Sequence, residues 1–230
     1  MAMAYPPFVF TQEQVQWLER RGWGYRVLMD FLSRPPRMSL IAHWRYKAEL
    51  IGLIPAGRGG HKLIGYLKSI PEQQFRQVCV REAAEYERLF TGRDAVMTSC
   101  ESLFRCRTEG ADAAVCISEV RKIYMENGIV FNKLNGERDD HIALELEFMA
   151  VLAEGMLGKS SLPHTCLTLA DAQIGFLESH LLKWARPFAN ELMLVSSSPL
   201  YTGLAELLDE FLDHDLRQLR QWRDTQARPI

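Results

Sequence analysis

The sequence predicts an all-α protein, a single multi-helix unit of roughly nine to twelve helices. Apolar residues recur at three- and four-residue spacing almost throughout. No segment shows the two-residue alternation or the β-branched runs that a half-buried strand requires. Glycine and proline divide the chain into segments of helical length.

The elements follow in order. Thr11 with Gln14 forms a capping box that opens a helix through Val15 and Leu18, and Gly22 and Gly24 are expected to interrupt it before Tyr25, Val27, Leu28, Phe31 and Leu32. Pro35-Pro36 ends that element, and Ser39 is expected to cap the next helix, through Ile51. Pro55-Ala56-Gly57-Arg58-Gly59-Gly60 reads as a loop; it lacks the G-x-x-x-x-G-K-[ST] pattern and the preceding strand of a phosphate loop. After Pro71, the spacing of Phe75, Val78, Cys79, Ala83, Tyr86, Leu89 and Phe90 predicts an amphipathic helix. Another carries Cys116, Ile117, Val120, Ile123 and Tyr124 and stops at Asn127-Gly128. Thr168 with Asp171 is expected to start a helix bearing Phe176, Leu181, Trp184 and Phe188, which Pro187 should kink or split. Pro199 opens the last, with Leu204, Leu208, Phe211, Leu212, Leu219 and Trp222 on its apolar face.

The chain 1–230 reads as one domain. The polar connector 135–140 is the candidate hinge between an N-terminal subdomain, 1–134, and a C-terminal one, 141–230. A second connector, 155–165, contains Gly158, Ser160, Ser161 and Pro163; such a hinge permits exchange of C-terminal helices, so a monomer or a domain-swapped dimer is expected.

Acidic and basic residues nearly cancel, for a formal charge of -2, so no global field recruits nucleic acid or an anionic membrane. No apolar run approaches the roughly 18 residues of a bilayer span, and Met1-Ala2-Met3-Ala4-Tyr5-Pro6-Pro7 lacks a basic signal region, so a cytoplasmic protein with no membrane insertion is expected. Arg20-Arg21 reads as a helix surface rather than an export signal, because Glu19 precedes it and Asp30 and Arg34 break the run that follows. Five cysteines with no C-x-x-C pair suggest reduced thiols, mostly buried, and neither a disulfide framework nor a zinc site.

The stretch from Gly136 to Met149 concentrates acids and a histidine at the mouth of an apolar helix. Asp139 and Asp140 precede the apolar run, where carboxylates cap orphan N–H groups and meet the positive end of the helix dipole. On a wheel of about 100° per residue, His141 and Glu145 share a stripe with Phe148 and Leu152 and are spaced to pair. Three readings compete on the residues alone. The first is capping with a His141–Glu145 pair. The second is a metal-dependent hydrolase ligated by Asp140, His141 and Glu145, whose spacing is not H-E-x-x-H. The third is a peptide-binding edge, with acids beside an apolar groove.

Three ordered blocks then resemble the TorD/DmsD family of redox-enzyme maturation chaperones. They are Tyr86-Glu87-Arg88-Leu89-Phe90 with Cys100-Glu101-Ser102-Leu103-Phe104, then Glu137-Arg138-Asp139-Asp140-His141 leading into the apolar helix, and His180-Leu181-Leu182-Lys183-Trp184-Ala185-Arg186-Pro187-Phe188. The resemblance implies a TorD-like helical fold and a non-enzymatic cytoplasmic chaperone without a cofactor. Its partner would be the twin-arginine signal peptide and catalytic subunit of a molybdoenzyme similar to DMSO or TMAO reductase, held until the molybdopterin cofactor is inserted. By that analogy Tyr86, Leu89 and Phe90 line the apolar part of the peptide site, and Glu137, Asp139, Asp140 and His141 its polar part. Asp140→Ala or His141→Leu should then weaken peptide binding and leave the thermal transition nearly unchanged. Arg138 stands where the family has proline, which places a cation beside the two aspartates. For His180 and Trp184, the residues alone suggest a packed helix interface.

Overall fold

In a computed structural model of the chain, the described residues are 10–49, 57–132, 136–158 and 163–226. Residues 1–9, Leu50 to Ala56, residues 133–135, of which 135 is the first of the candidate hinge, the 159–162 part of the second connector and residues 227–230 lie outside them. Ten α-helices are present among the described residues, with no strand.

The capping box is present, with Thr11 Oγ1 accepting from the Gln14 N–H and Gln14 Oε1 from the Thr11 N–H. It opens α1, Gln12–Leu32, which runs unbroken through Gly22 and Gly24. Each glycine costs about 1 kcal/mol in a helix, but Leu18, Tyr25, Leu28 and Phe31 are wholly buried, and burying large apolar side chains is worth more. α1 packs chiefly against α7, Ile142–Gly158, whose apolar run is buried on most sides.

Helix α2, Met38–Glu49, starts one residue before Ser39, and its first turn bonds to the Arg37 carbonyl, so Ser39 is not its cap. The glycines expected in a loop belong instead to α3, Arg58–Ser69. A Cβ on Gly59 would lie 2.2 Å from the Leu207 amide nitrogen, because α3 presses against α10, Pro199–Gln226. That close backbone approach requires glycine.

Helix α4, Phe75–Tyr86, passes into a π-helical turn, Glu87–Thr91. Then come α5, Glu101–Glu109, and α6, Ala113–Glu126, the latter followed by Gly128 at φ +69°. After α7, helix α8 spans Pro163–Phe176 and so begins before Thr168, with proline in the first turn, where its missing N–H costs nothing. A second π-turn, Leu177–Leu181, leads into α9, Leu182–Val195, which carries Pro187 without a break; Trp184 and Phe188 on either side are fully buried. The glycines expected in the second connector, Gly155 and Gly158, belong to α7.

Arg21, expected on a helix surface, is buried. Its guanidinium donates to both Asp215 oxygens and to Gln173 Oε1, while the Tyr25 hydroxyl donates to Asp215 at 2.6 Å. This network ties α1 to α8 and α10. All five cysteines are free; Cys100, Cys116 and Cys166 are buried and Cys106 is exposed.

Candidate functional site

Three segments far apart in sequence meet around a cavity of about 560 Å³. The first is the turn 33–37, held at the end of α1 by Ser33 N–H donating to the Met29 carbonyl and by Cys79 Sγ donating to the Pro36 carbonyl. The second is the end of α4 with the π-turn that follows it, which present Tyr86 and Thr91. The third is the loop before α7, which presents Glu137 and His141.

The expected apolar wall is largely core. Leu89 is fully buried; Phe90 is partly buried and packs on Phe188 and Tyr201. Tyr86 is 2% exposed, and its hydroxyl reaches the Leu32 carbonyl while its edge lines the cavity. Aromatic and leucine residues at helical spacing here serve packing first.

The acids divide by direction. Asp140 is fully buried and does not cap its own helix. Its Oδ2 accepts the Ser102 N–H at 2.8 Å and its carbonyl accepts the Glu101 N–H at 2.9 Å, so it caps α5, where Cys100 offers no side-chain cap. An antiparallel bridge between Cys100 and His141 holds that register, with the Ile142 N–H donating to the Ser99 carbonyl. Arg138 completes the clamp, with Nε 3.3 Å from Asp140 Oδ1 and Nη2 2.9 Å from Ser102 Oγ. Asp139 receives two bonds from the Arg121 guanidinium, at 2.8 and 2.6 Å, and its carbonyl accepts from the Tyr124 hydroxyl.

His141 does not pair with Glu145. Its Nδ1 accepts the Ala143 N–H at 3.2 Å, which leaves the proton on Nε2. Burial pushes its pKa down, against the pull of Glu137 and Asp140, so the ring is neutral near neutral pH.

Glu145 belongs to a buried polar cluster behind the loop that sequence reasoning missed. Its Oε2 accepts from Trp184 Nε1 at 3.1 Å. Burial first, and the Glu101 carboxylate second, push its pKa well up, favouring the neutral acid. Glu101 accepts from His180 at 2.8 Å and from Arg105 at 2.8 Å. His180 also stacks on Phe176, so it is both a packed and a hydrogen-bonded residue. The only signal in the sequence was the presence of Glu101, His180 and Trp184 in separate motif blocks.

A metal centre on Asp140, His141 and Glu145 does not fit, because their side chains are committed to Ser102 with Arg138, to Ala143 and to Trp184 respectively. Among the described residues no group of three or more His, Cys, Asp or Glu side chains is arranged to hold a metal ion. The cavity residues that the sequence did not mark are Ser33, Arg34, Pro35, Pro36, Arg37 and Thr91. A proline pair between two arginines was the available signal.

The family model described as nitrate reductase delta subunit matches residues 64–190, more than half of the chain. A Vibrio cholerae serotype O1 protein named "Chaperone protein TorD" (strain ATCC 39541 / Classical Ogawa 395 / O395) is 30% identical over 99 residues, 42% of this chain and 44% of that protein. Its namesake from the El Tor Inaba N16961 strain is 27% identical over the same shares. The chain thus spans under half the length of the curated relatives it matches. The chain belongs to the nitrate reductase delta subunit family, which contains the TorD/DmsD-like proteins that its motif blocks resemble.

Proposed function

We propose that this protein is a chaperone for a molybdopterin-dependent oxidoreductase subunit, and that it acts by binding rather than by catalysis. It holds the twin-arginine signal segment of the apo subunit in the cytoplasm until the cofactor is inserted. The observation that carries the reading is the cavity itself, which joins Tyr86 of one motif block to Glu137 and His141 of another. The name of the similar Vibrio proteins supports a chaperone role. No helix among the described residues is long and apolar enough to cross a membrane.

In this reading Glu137 meets a basic side chain of the peptide, and the neutral His141 offers its Nε2–H to a peptide carbonyl. Asp139 and Asp140 shape the loop from behind and leave direct contact to their neighbours. The test is calorimetry with the signal peptide of the client subunit recovered by co-purification. Glu137→Gln and His141→Leu should each weaken binding about tenfold, with a thermal midpoint close to the parent's. Parent-like affinity in both variants would exclude this cavity as the peptide site.

A further inference from the structure

The cavity carries a positive excess that a basic segment alone does not explain. Of the charged groups on its wall, Arg34 and Arg37 are cationic and Glu137 is anionic. Both arginines are exposed, and neither forms an ion pair with any described residue. This sets them apart from Arg121 and Arg138 on the adjoining loop and helix, which hold Asp139 and Asp140. Asp30, one turn before Arg34, is half-buried and accepts from Trp44 Nε1 at 2.8 Å; Arg34 and Arg26 lie near enough to favour its ionised form, so part of the Arg34 charge is offset there and Arg37 faces the cavity with no such neighbour among the described residues. Asp139 and Asp140, on the loop before α7, are already paired with arginines, and the neutral His141 adds no charge.

The arginines are also positioned. Pro35 and Pro36 fix two successive φ angles between them, and the turn is anchored to the core through the Pro36 carbonyl and the Ser33 N–H. The stiff turn fixes where the two side chains start, and each planar guanidinium matches the geometry of a carboxylate.

We propose that Arg34 and Arg37 form a carboxylate-binding subsite, so that the segment held in this cavity carries an acidic side chain as well as a basic one. The inference rests on the peptide-binding reading and adds the charge pattern of the partner. Glu137 receives the cation; the 33–37 turn receives the anion.

The experiment uses the full chain and two labelled synthetic peptides, each with an Arg-Arg pair and a leucine-rich run. One carries Glu-Glu where the other carries Gln-Gln, and binding is followed by fluorescence anisotropy. The parent protein is expected to bind the acidic peptide about tenfold more tightly at low salt, and the preference should shrink as salt is raised. In the Arg34→Gln/Arg37→Gln double variant, whose substituted side chains are exposed, the preference should fall to about twofold or less. Equal binding of both peptides by the parent, or a preference that survives in the double variant, overturns the subsite. If the peptides bind equally and His141→Leu abolishes both, the chaperone site stands and the acidic subsite falls. If the parent binds neither peptide, both readings fall.

Discussion

Asp140→Ala should destabilise the protein substantially, contrary to what a surface polar site would predict. Asp140 is fully buried, and its carboxylate accepts the Ser102 N–H at 2.8 Å and faces Arg138 Nε at 3.3 Å. Alanine leaves the Ser102 N–H without its acceptor inside the fold, which costs about 1–3 kcal/mol, a range that includes the loss of a helix cap, typically about 1 kcal/mol. Arg138 is 39% exposed and can return to water, so its lost pairing adds only about 0–1 kcal/mol. The total, about 1–4 kcal/mol, corresponds to a fall of about 2–16 °C in midpoint, at about 2–4 °C per kcal/mol for a chain of this size. Asp140→Asn keeps an oxygen for the Ser102 N–H and should lose about half as much. Differential scanning calorimetry of the three proteins measures this directly. A midpoint within about 1 °C of the parent for Asp140→Ala would refute the assignment of Asp140 as the cap of α5.

Asp215→Asn or Arg21→Met alone should cost about 3–5 kcal/mol in urea denaturation, since each strands a buried charged or polar partner in the network joining α1, α8 and α10. A loss under about 1 kcal/mol would argue against that network. Gly59→Ala should cost about 1–3 kcal/mol or more, because its Cβ would meet the backbone of Leu207 at 2.2 Å and Glu206 at 2.4 Å; an unchanged urea midpoint would mean that α3 and α10 do not approach this closely. Glu85 titrates at about 2, held down mainly by Arg88 against the cost of burial, with help from the Ser197 N–H and the Ser196 hydroxyl. A depressed carboxylate stabilises the fold above its unfolded pKa, and that stability is lost as pH falls through the folded value. Parent and Glu85→Gln should differ by about 1–2 kcal/mol at neutral pH, a figure reduced for solvent screening at the 43%-exposed Arg88, and should converge near pH 2.

The fold class was legible because most helices bury one stripe, and the period of that stripe survives in the sequence. The ends were legible where a local device fixes them, as at Thr11, Gly128 and Pro199. They were not where tertiary contact overrides a local signal. Gly22 and Gly24 look like a break, yet the buried face of α1 holds the helix through them; Gly59 and Gly60 look like a loop, yet α10 demands a residue without a side chain at Gly59. The site divides in the same way. Glu137, His141 and Tyr86 reach the cavity from positions the motifs marked, whereas Arg34 and Arg37 enter through a contact between the end of α1 and the loop before α7. Nothing local marks that contact.

The direction of Asp140 shows why residue position and residue role separate here. Its place before the apolar run suggests a cap on α7, but α7 begins at Ile142, and the chain before it is turned by the bridge to Cys100. Asp140 therefore looks back into α5. With proline at position 138, as the family resemblance implies, no side chain would reach Asp140 Oδ1 or Ser102 Oγ, and one carboxylate oxygen would stay available to a cation. Arginine at this position closes that option and balances a charge that would otherwise be costly to bury. Behind it, Glu101 is balanced by Arg105 and hydrogen-bonded to His180, and Glu145 avoids a further buried charge by keeping its proton. The aspartates and interior glutamates thus form a compensated structural set. In the proposed peptide-binding reading, selectivity for a ligand's charge falls to the groups that line the cavity, Glu137 on one wall and the arginines of the 33–37 turn on the other. On that reading a change at position 138 alters the charge behind the cavity without replacing a residue proposed to contact the peptide.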